Sequence, residues 1–134
     1  MFETFKNIAD SNNWYFEYGR QDYHNLYQDV TSGGTIHFFL EPIITDSIFS
    51  DSGYETLTYS GKFMLFVSSD VDETYTDKYN NHIKPIIENS LKTVKNSLLC
   101  NQFDINKFQV LEVINVFDTN VDGVLVNYSL KSTE

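Results

Sequence analysis

The sequence predicts an α+β fold: a mostly antiparallel sheet, one long amphipathic helix and a short N-terminal helix packed on it, and a C-terminal β-hairpin. Three observations carry that prediction. Between Tyr79 and Cys100 the apolar residues Ile83, Ile86, Ile87, Leu91, Val94, Leu98 and Leu99 recur at i, i+3, i+4 spacing, with Asn, Lys, Glu, Ser and Thr between them. Such a helix, expected over about residues 83–100, has to lay its stripe on something apolar. The chain on either side of it alternates like strand, which supplies the surface. Near the C-terminus, the runs INKFQVLEVINVFDT and VLVNYSL are joined through Asn120-Val121-Asp122-Gly123, and Asp-Gly is a strong hairpin signal.

Taken in order, Phe2, Phe5, Ile8 and Ala9 are spaced for a short amphipathic helix that Asp10-Ser11-Asn12-Asn13 ends. Trp14, Phe16 and Tyr18 alternate and read as a short strand up to Gly19; one long bent helix through this region is the competing reading. Arg20 to Val30 has the spacing of a helical turn or two around Tyr23, Leu26 and Tyr27. Thr31-Ser32-Gly33-Gly34 breaks the chain. TIHFFLEPI then reads as a strand stopped by Pro42, which has no N–H for the ladder. Thr45 to Gly53 is small, polar and acidic, an expected exposed loop.

Tyr54 to Asp70 has strong β character, and Gly61 in its middle marks an expected bulge or bend. Asp70 to Asp77 reads as an acidic loop leading into the long helix, with Thr76 as N-cap and Asp77 at the positive helix end. Pro85 places the start of the regular helix at about its own position, after one helical turn, or else kinks it.

A chain of 134 residues with 41% hydrophobic content makes one domain, residues 1–134, with a real core. Aromatics reach 16%, mainly Phe and Tyr, which suits pleated sheet first and contact surfaces second. A formal charge of −10 opposes binding to nucleic-acid phosphates or to an anionic membrane surface, since both require clustered Lys and Arg. No apolar run approaches the ~20 residues of a membrane span. Neither a basic n-region nor an apolar h-region opens the chain, so the expectation is a soluble protein made in a reducing compartment. Cys100, the one cysteine, is expected to be a small buried hydrophobe at the end of the helix.

Each candidate site has a plainer structural reading beside it. Asp118-Thr119-Asn120-Val121-Asp122-Gly123 matches the first half of a calcium loop, but Ser129 stands where the bidentate Glu belongs, so an Asp/Asn-rich β-turn is the preferred reading. Asp70, Asp72 and Glu73 read as a solvated acidic loop rather than paired catalytic carboxylates. His24, His37 and His82 show no metal-ligand spacing. Gly33-Gly34 lacks the pattern of a phosphate loop. The expectation is therefore a protein without catalytic, cofactor-binding or metal-ligating residues, and not an enzyme. The rims of a tyrosine-rich sheet do carry unpaired backbone groups that invite neighbours.

The phrases FFLEPI at Phe38–Ile43, YSGKFMLFVSSD at Tyr59–Asp70, IKPII at Ile83–Ile87 and EVINVFDTNVDGVLVNYSL at Glu112–Leu130, in this element order, resemble the head–tail joining and tail-terminator proteins of tailed bacteriophages, of the type found in Bacteroidetes phages and prophages. The resemblance spans about residues 34–130; NWYFEYGR interrupts the longer opening helix usual in such proteins. It implies a virion structural protein of the neck or tail. Such a protein forms a homo-oligomeric ring, often a hexamer, contacts the tail tube and the connector, and is assembled in the bacterial cytoplasm. The loops at 45–53 and 70–77 would then project at interfaces. Two other readings differ in their marks. A small ligand-binding protein or enzyme calls for a deep cavity lined by Tyr, His37 and carboxylates, and an acidic inhibitor or immunity protein for a rigid acidic stripe.

Overall fold

The computed structural model describes residues 1–19, 36–68, 74–116 and 121–132. Helix α1 (Phe2–Ser11) is followed by strands β1 (Tyr15–Tyr18), β2 (His37–Leu40), β3 (Ile44–Phe49) and β4 (Glu55–Ser68). A bent helix, α2, runs from Tyr75 to Cys100, and the hairpin of β5 (Phe103–Val116) and β6 (Val121–Ser132) closes the chain. The sheet order is β1-β2-β4-β6-β5, with β3 on β4 beside β2. Among the described residues only β1 with β2 is parallel, and the other pairings are antiparallel. The α+β class, the short first helix, the strand around Phe16 and the C-terminal hairpin are as the sequence predicts.

Both helices lie on one face of the sheet. Phe5, Ile8 and Ala9 of α1 and Ile83, Ile86, Leu91, Val94 and Leu98 of α2 pack on Phe38, Leu40, Phe63, Leu65, Val124, Val126 and Leu130. At the centre, Phe38 stacks on Phe63 at 4.9 Å and Phe5 closes over both at 5.6 Å. Fully burying side chains of this size contributes roughly 1.5–3 kcal/mol each. The opposite face holds a smaller cluster of Phe39, Met64 and Phe66 with Val113 and Leu125 against it. α1 ends where Asn13 takes a left-handed φ of 59° and Asn12 donates from Nδ2 to the Ile8 carbonyl at 2.8 Å, the chain reversal for which Asn is suited.

The long helix begins earlier than the apolar periodicity indicates. Thr74, not Thr76, is the N-cap: its Oγ1 accepts from the Asp77 N–H at 3.1 Å, so 75–77 is a first helical turn rather than a loop. Pro85 is inside the helix at φ −60° and ψ −36°. It is tolerated because π-helical turns, Tyr79–Ile83 and Ile86–Ser90, flank it, so the missing N–H falls where the α register is already broken. The wider turns also hold Ile83, Ile86 and Leu91 toward the sheet despite uneven spacing. Leu99, expected in that stripe, faces solvent at 55% exposure, and Cys100 is exposed rather than buried. The regular stripe of the last turns runs through Leu91, Val94 and Leu98 and passes both by.

Two strand predictions change. Thr45–Gly53 is not a loop: β3 pairs with β4 from Ile44↔Ser60 to Phe49↔Glu55, and the turn follows at 50–54 with Gly53 at φ 85°. Short polar side chains hid a strand whose ladder is supplied by its partner. Gly61, in turn, carries no bulge in β4, which pairs with β6 continuously from Thr58 to Ser68. The irregularity is on the neighbouring strand. Leu40 pairs with Phe63 and Ile44 with Ser60, so Glu41-Pro42-Ile43 oppose only two residues of β4, and the break falls at Pro42. Gly61 leaves room for Tyr128, whose hydroxyl lies 3.0 Å from where a Cβ would sit.

The final hairpin also differs in detail. Asp122 and Gly123 lie within β6, and the connection at 117–120 is outside the described residues. Gly123 pairs with Phe66, and a Cβ there would overlap the Leu65 carbonyl oxygen. Glycine at this point is what lets β4 and β6 approach.

Candidate functional site

The most conspicuous surface feature is a projecting arm. β3 and the first half of β4 extend three cross-strand pairs past Thr58↔Lys131, the last described pair of β4 with β6. Every residue of β3 is exposed. Ile44 and Ile48 are each 59% exposed, Phe49 64% and Tyr54 76%, values at which large apolar side chains bury little against their own chain. Asp46, Asp51 and Glu55 share the arm, and no Lys or Arg occurs between Ile44 and Gly61. Among the described residues β3 pairs only with β4, and β5 only with β6, so the sheet has an open strand at each side.

A second feature is a cavity of about 310 Å³ where the π-helical turns of α2 meet the sheet. Asn81, His82, Asn89 and Ser90 line its helix side, with Ile36 and Val67 opposite. The π-turns around Pro85 shape this wall, a backbone irregularity often found beside ligand sites.

The sequence candidates distribute differently from a converging site. Asp122 is fully buried, and its Oδ2 accepts from Lys78 Nζ at 3.3 Å, with both side chains at 0–1% exposure. That contact ties the first turn of α2 to β6 and commits the second carboxylate of the calcium-like run to an ion pair; Asp118 and Asn120 lie outside the described residues. So do His24, Gly33-Gly34 and Asp70, Asp72 and Glu73. His37 is buried in β2, its ring parallel to Phe66 at 5.4 Å and beside Tyr15 at 5.2 Å. His82 belongs to the cavity wall. Among the described residues no group of three His, Cys, Asp or Glu stands close enough to hold a metal ion. Nor is any described helix long and apolar enough to cross a membrane.

Tyr128 adds a buried polar node that the sequence pattern does not reveal. Its hydroxyl and Glu41 Oε2 are both buried without a hydrogen-bond partner among the described residues. Burial, reinforced by nearby Tyr18 and Glu41, pushes the phenol well above its ordinary range and keeps it protonated. The node lies at the Pro42 break, where β2 gives way to the arm.

The arm was legible in the sequence only as a polar, acidic segment; its apolar positions, Ile48 and Phe49, were the available signal. Chemically, the described residues present an apolar and acidic docking element, two open strand edges and a small polar-walled cavity. In comparisons with known proteins, no protein-family model and no curated protein matches this chain.

Proposed function

We propose that this chain is a non-enzymatic assembly protein that binds further copies of itself through its arm and open sheet edges, in the manner of a phage head–tail joining or tail-terminator protein. The exposed apolar side chains of the arm carry the assembly reading. A hairpin that extends past its sheet with Ile44, Ile48, Phe49 and Tyr54 in water buries those side chains only when another surface covers it. The virion part of the reading rests on the resemblance of Phe38–Ile43, Tyr59–Asp70 and Glu112–Leu130 to neck proteins. That resemblance implies a homo-oligomeric ring, as a hexamer, between tail tube and connector.

The test is mass by light scattering over a concentration series, followed by electron microscopy of the large species. Closed rings, or a mass that rises in whole-chain steps with concentration, are expected. A mass fixed at one chain up to millimolar concentration overturns the proposal.

A second reading, a small-molecule-binding protein, is favoured by the cavity beside Pro85. A ligand-dependent rise in Tm that Asn89→Ala and Ser90→Ala abolish would support it in place of assembly.

A further inference from the structure

We infer that the acidic, apolar arm of one copy docks on the lysine-bearing surface formed by α2 and β5 of the next copy, making a head-to-tail contact. The inference rests on the assembly reading above and names the surface that completes it.

Charge is unevenly distributed over the described chain. The arm carries Asp46, Asp51 and Glu55 and no cation. The outer side of α2 carries Lys84, Glu88, Lys92 and Lys95, residues at helical spacing that share one side of the helix. Lys84 and Glu88 approach each other at 4.0 Å, both half exposed, which leaves Lys92 and Lys95 as the net charge of that row. Lys95 Nζ sits 5.1 Å over the ring of Phe108 in β5, which fixes the lysine row beside the strand edge. On the helix-side face β5 adds Glu112, opposite Val124, whereas Asp104 and Lys107 belong to the other face of the strand. Lys92 and Lys95 against Glu112 leave this helix-side surface with one cation in excess, in a chain of net charge −10. It is also apolar: Leu99, on the same side of α2 as Lys92 and Lys95, is 55% exposed.

Position completes the argument. The strands run in the order β3-β4-β6-β5, so the arm and the lysine surface lie on opposite sides of the same sheet. Two different patches on opposite sides make a heterologous contact, which closes into a ring when the rotation allows and otherwise runs on as a filament. The two-fold alternative, arm against arm, would set Asp46, Asp51 and Glu55 against their own copies, a like-charge arrangement that opposes association. A second copy presents Lys92, Lys95 and the exposed Leu99 together, a charge and apolar match for the arm.

The experiment is charge reversal with rescue, read by light scattering beside the parent chain and with circular dichroism to confirm folding. Lys92→Glu with Lys95→Glu is expected to weaken self-association on the order of tenfold. Asp46→Lys with Glu55→Lys is expected to do the same, and the chain carrying all four substitutions to recover most of the loss. In the parent, carbodiimide coupling should join Asp51 or Glu55 to Lys92 or Lys95 between chains. If arm variants dissolve the oligomer while Lys92→Glu with Lys95→Glu leaves it intact, the docking assignment falls and the assembly reading stands. A parent chain that never associates removes both.

Discussion

Lys78 and Asp122 show how much one buried contact specifies. Neither ion is accessible to water, and their 3.3 Å contact joins the start of α2 to β6 across 44 residues of chain. Desolvating two charges is costly, so the pair is better understood as fixing where the helix starts than as a large net gain in stability. Lys78→Met leaves a buried carboxylate without its cation and should destabilise the fold by about 3–5 kcal/mol in urea melts. The double variant Lys78→Met with Asp122→Leu should recover much of that loss. Additive losses in the two single variants would show that the two side chains do not act as a pair. At the same scale, Gly123 is set by the closeness of the Leu65 carbonyl, so its place after Asp122 is owed to strand packing and not to a turn.

At the scale of the element, α2 depends on a buried stripe that survives an irregular backbone. Leu91 is 2% exposed where the π-helical stretch returns to α-helix. Leu91→Asp places an unpaired charge in the buried cluster between α2 and the sheet, a change that removes several kcal/mol of the typical 5–15 kcal/mol margin. Loss of cooperative thermal unfolding, or a Tm lowered by more than 10 °C, is expected by roughly that cost. Asn96→Asp, on the exposed side of the same helix, should stay within about 0.5 kcal/mol of the parent. Equal behaviour of the two variants would mean that the stripe does not bind the sheet.

For the molecule as a whole, the arm is separable from the core. None of its exposed residues Ile44, Ile48, Phe49 and Tyr54 belongs to the buried core of either sheet face. Replacing residues 47–57 with a two-residue Asn-Gly turn should therefore leave the melting temperature within a few degrees of the parent while abolishing concentration-dependent mass. Collapse of the melting temperature would show that the arm stabilises the fold itself. The separation has a physical basis: the core is built around Phe5, Phe38 and Phe63 beneath the two helices, and the arm begins beyond the break at Pro42.

The sequence by itself determined the α+β class, the first helix, the position of the long helix from about Pro85 onward, and the C-terminal hairpin. Each is written in local periodicity: Phe5 with Ile8 and Ala9, Leu91 with Val94 and Leu98, and the alternation around Val124 and Val126. Tertiary structure alone decided the rest. β3 is a strand because β4 lies beside it, although its own residues are those of a loop; backbone hydrogen bonding to a neighbour outweighed weak propensity. Asp122-Gly123 resembles turn chemistry, yet one residue answers a buried lysine 44 positions away and the other a passing backbone. The helix extends back to Tyr75 because its first turns find Asp122 and the sheet, not because their sequence is apolar. Periodicity records which face of an element is buried; it does not record what stands opposite, and both the arm's exposure and the lysine surface it faces across the sheet depend on that.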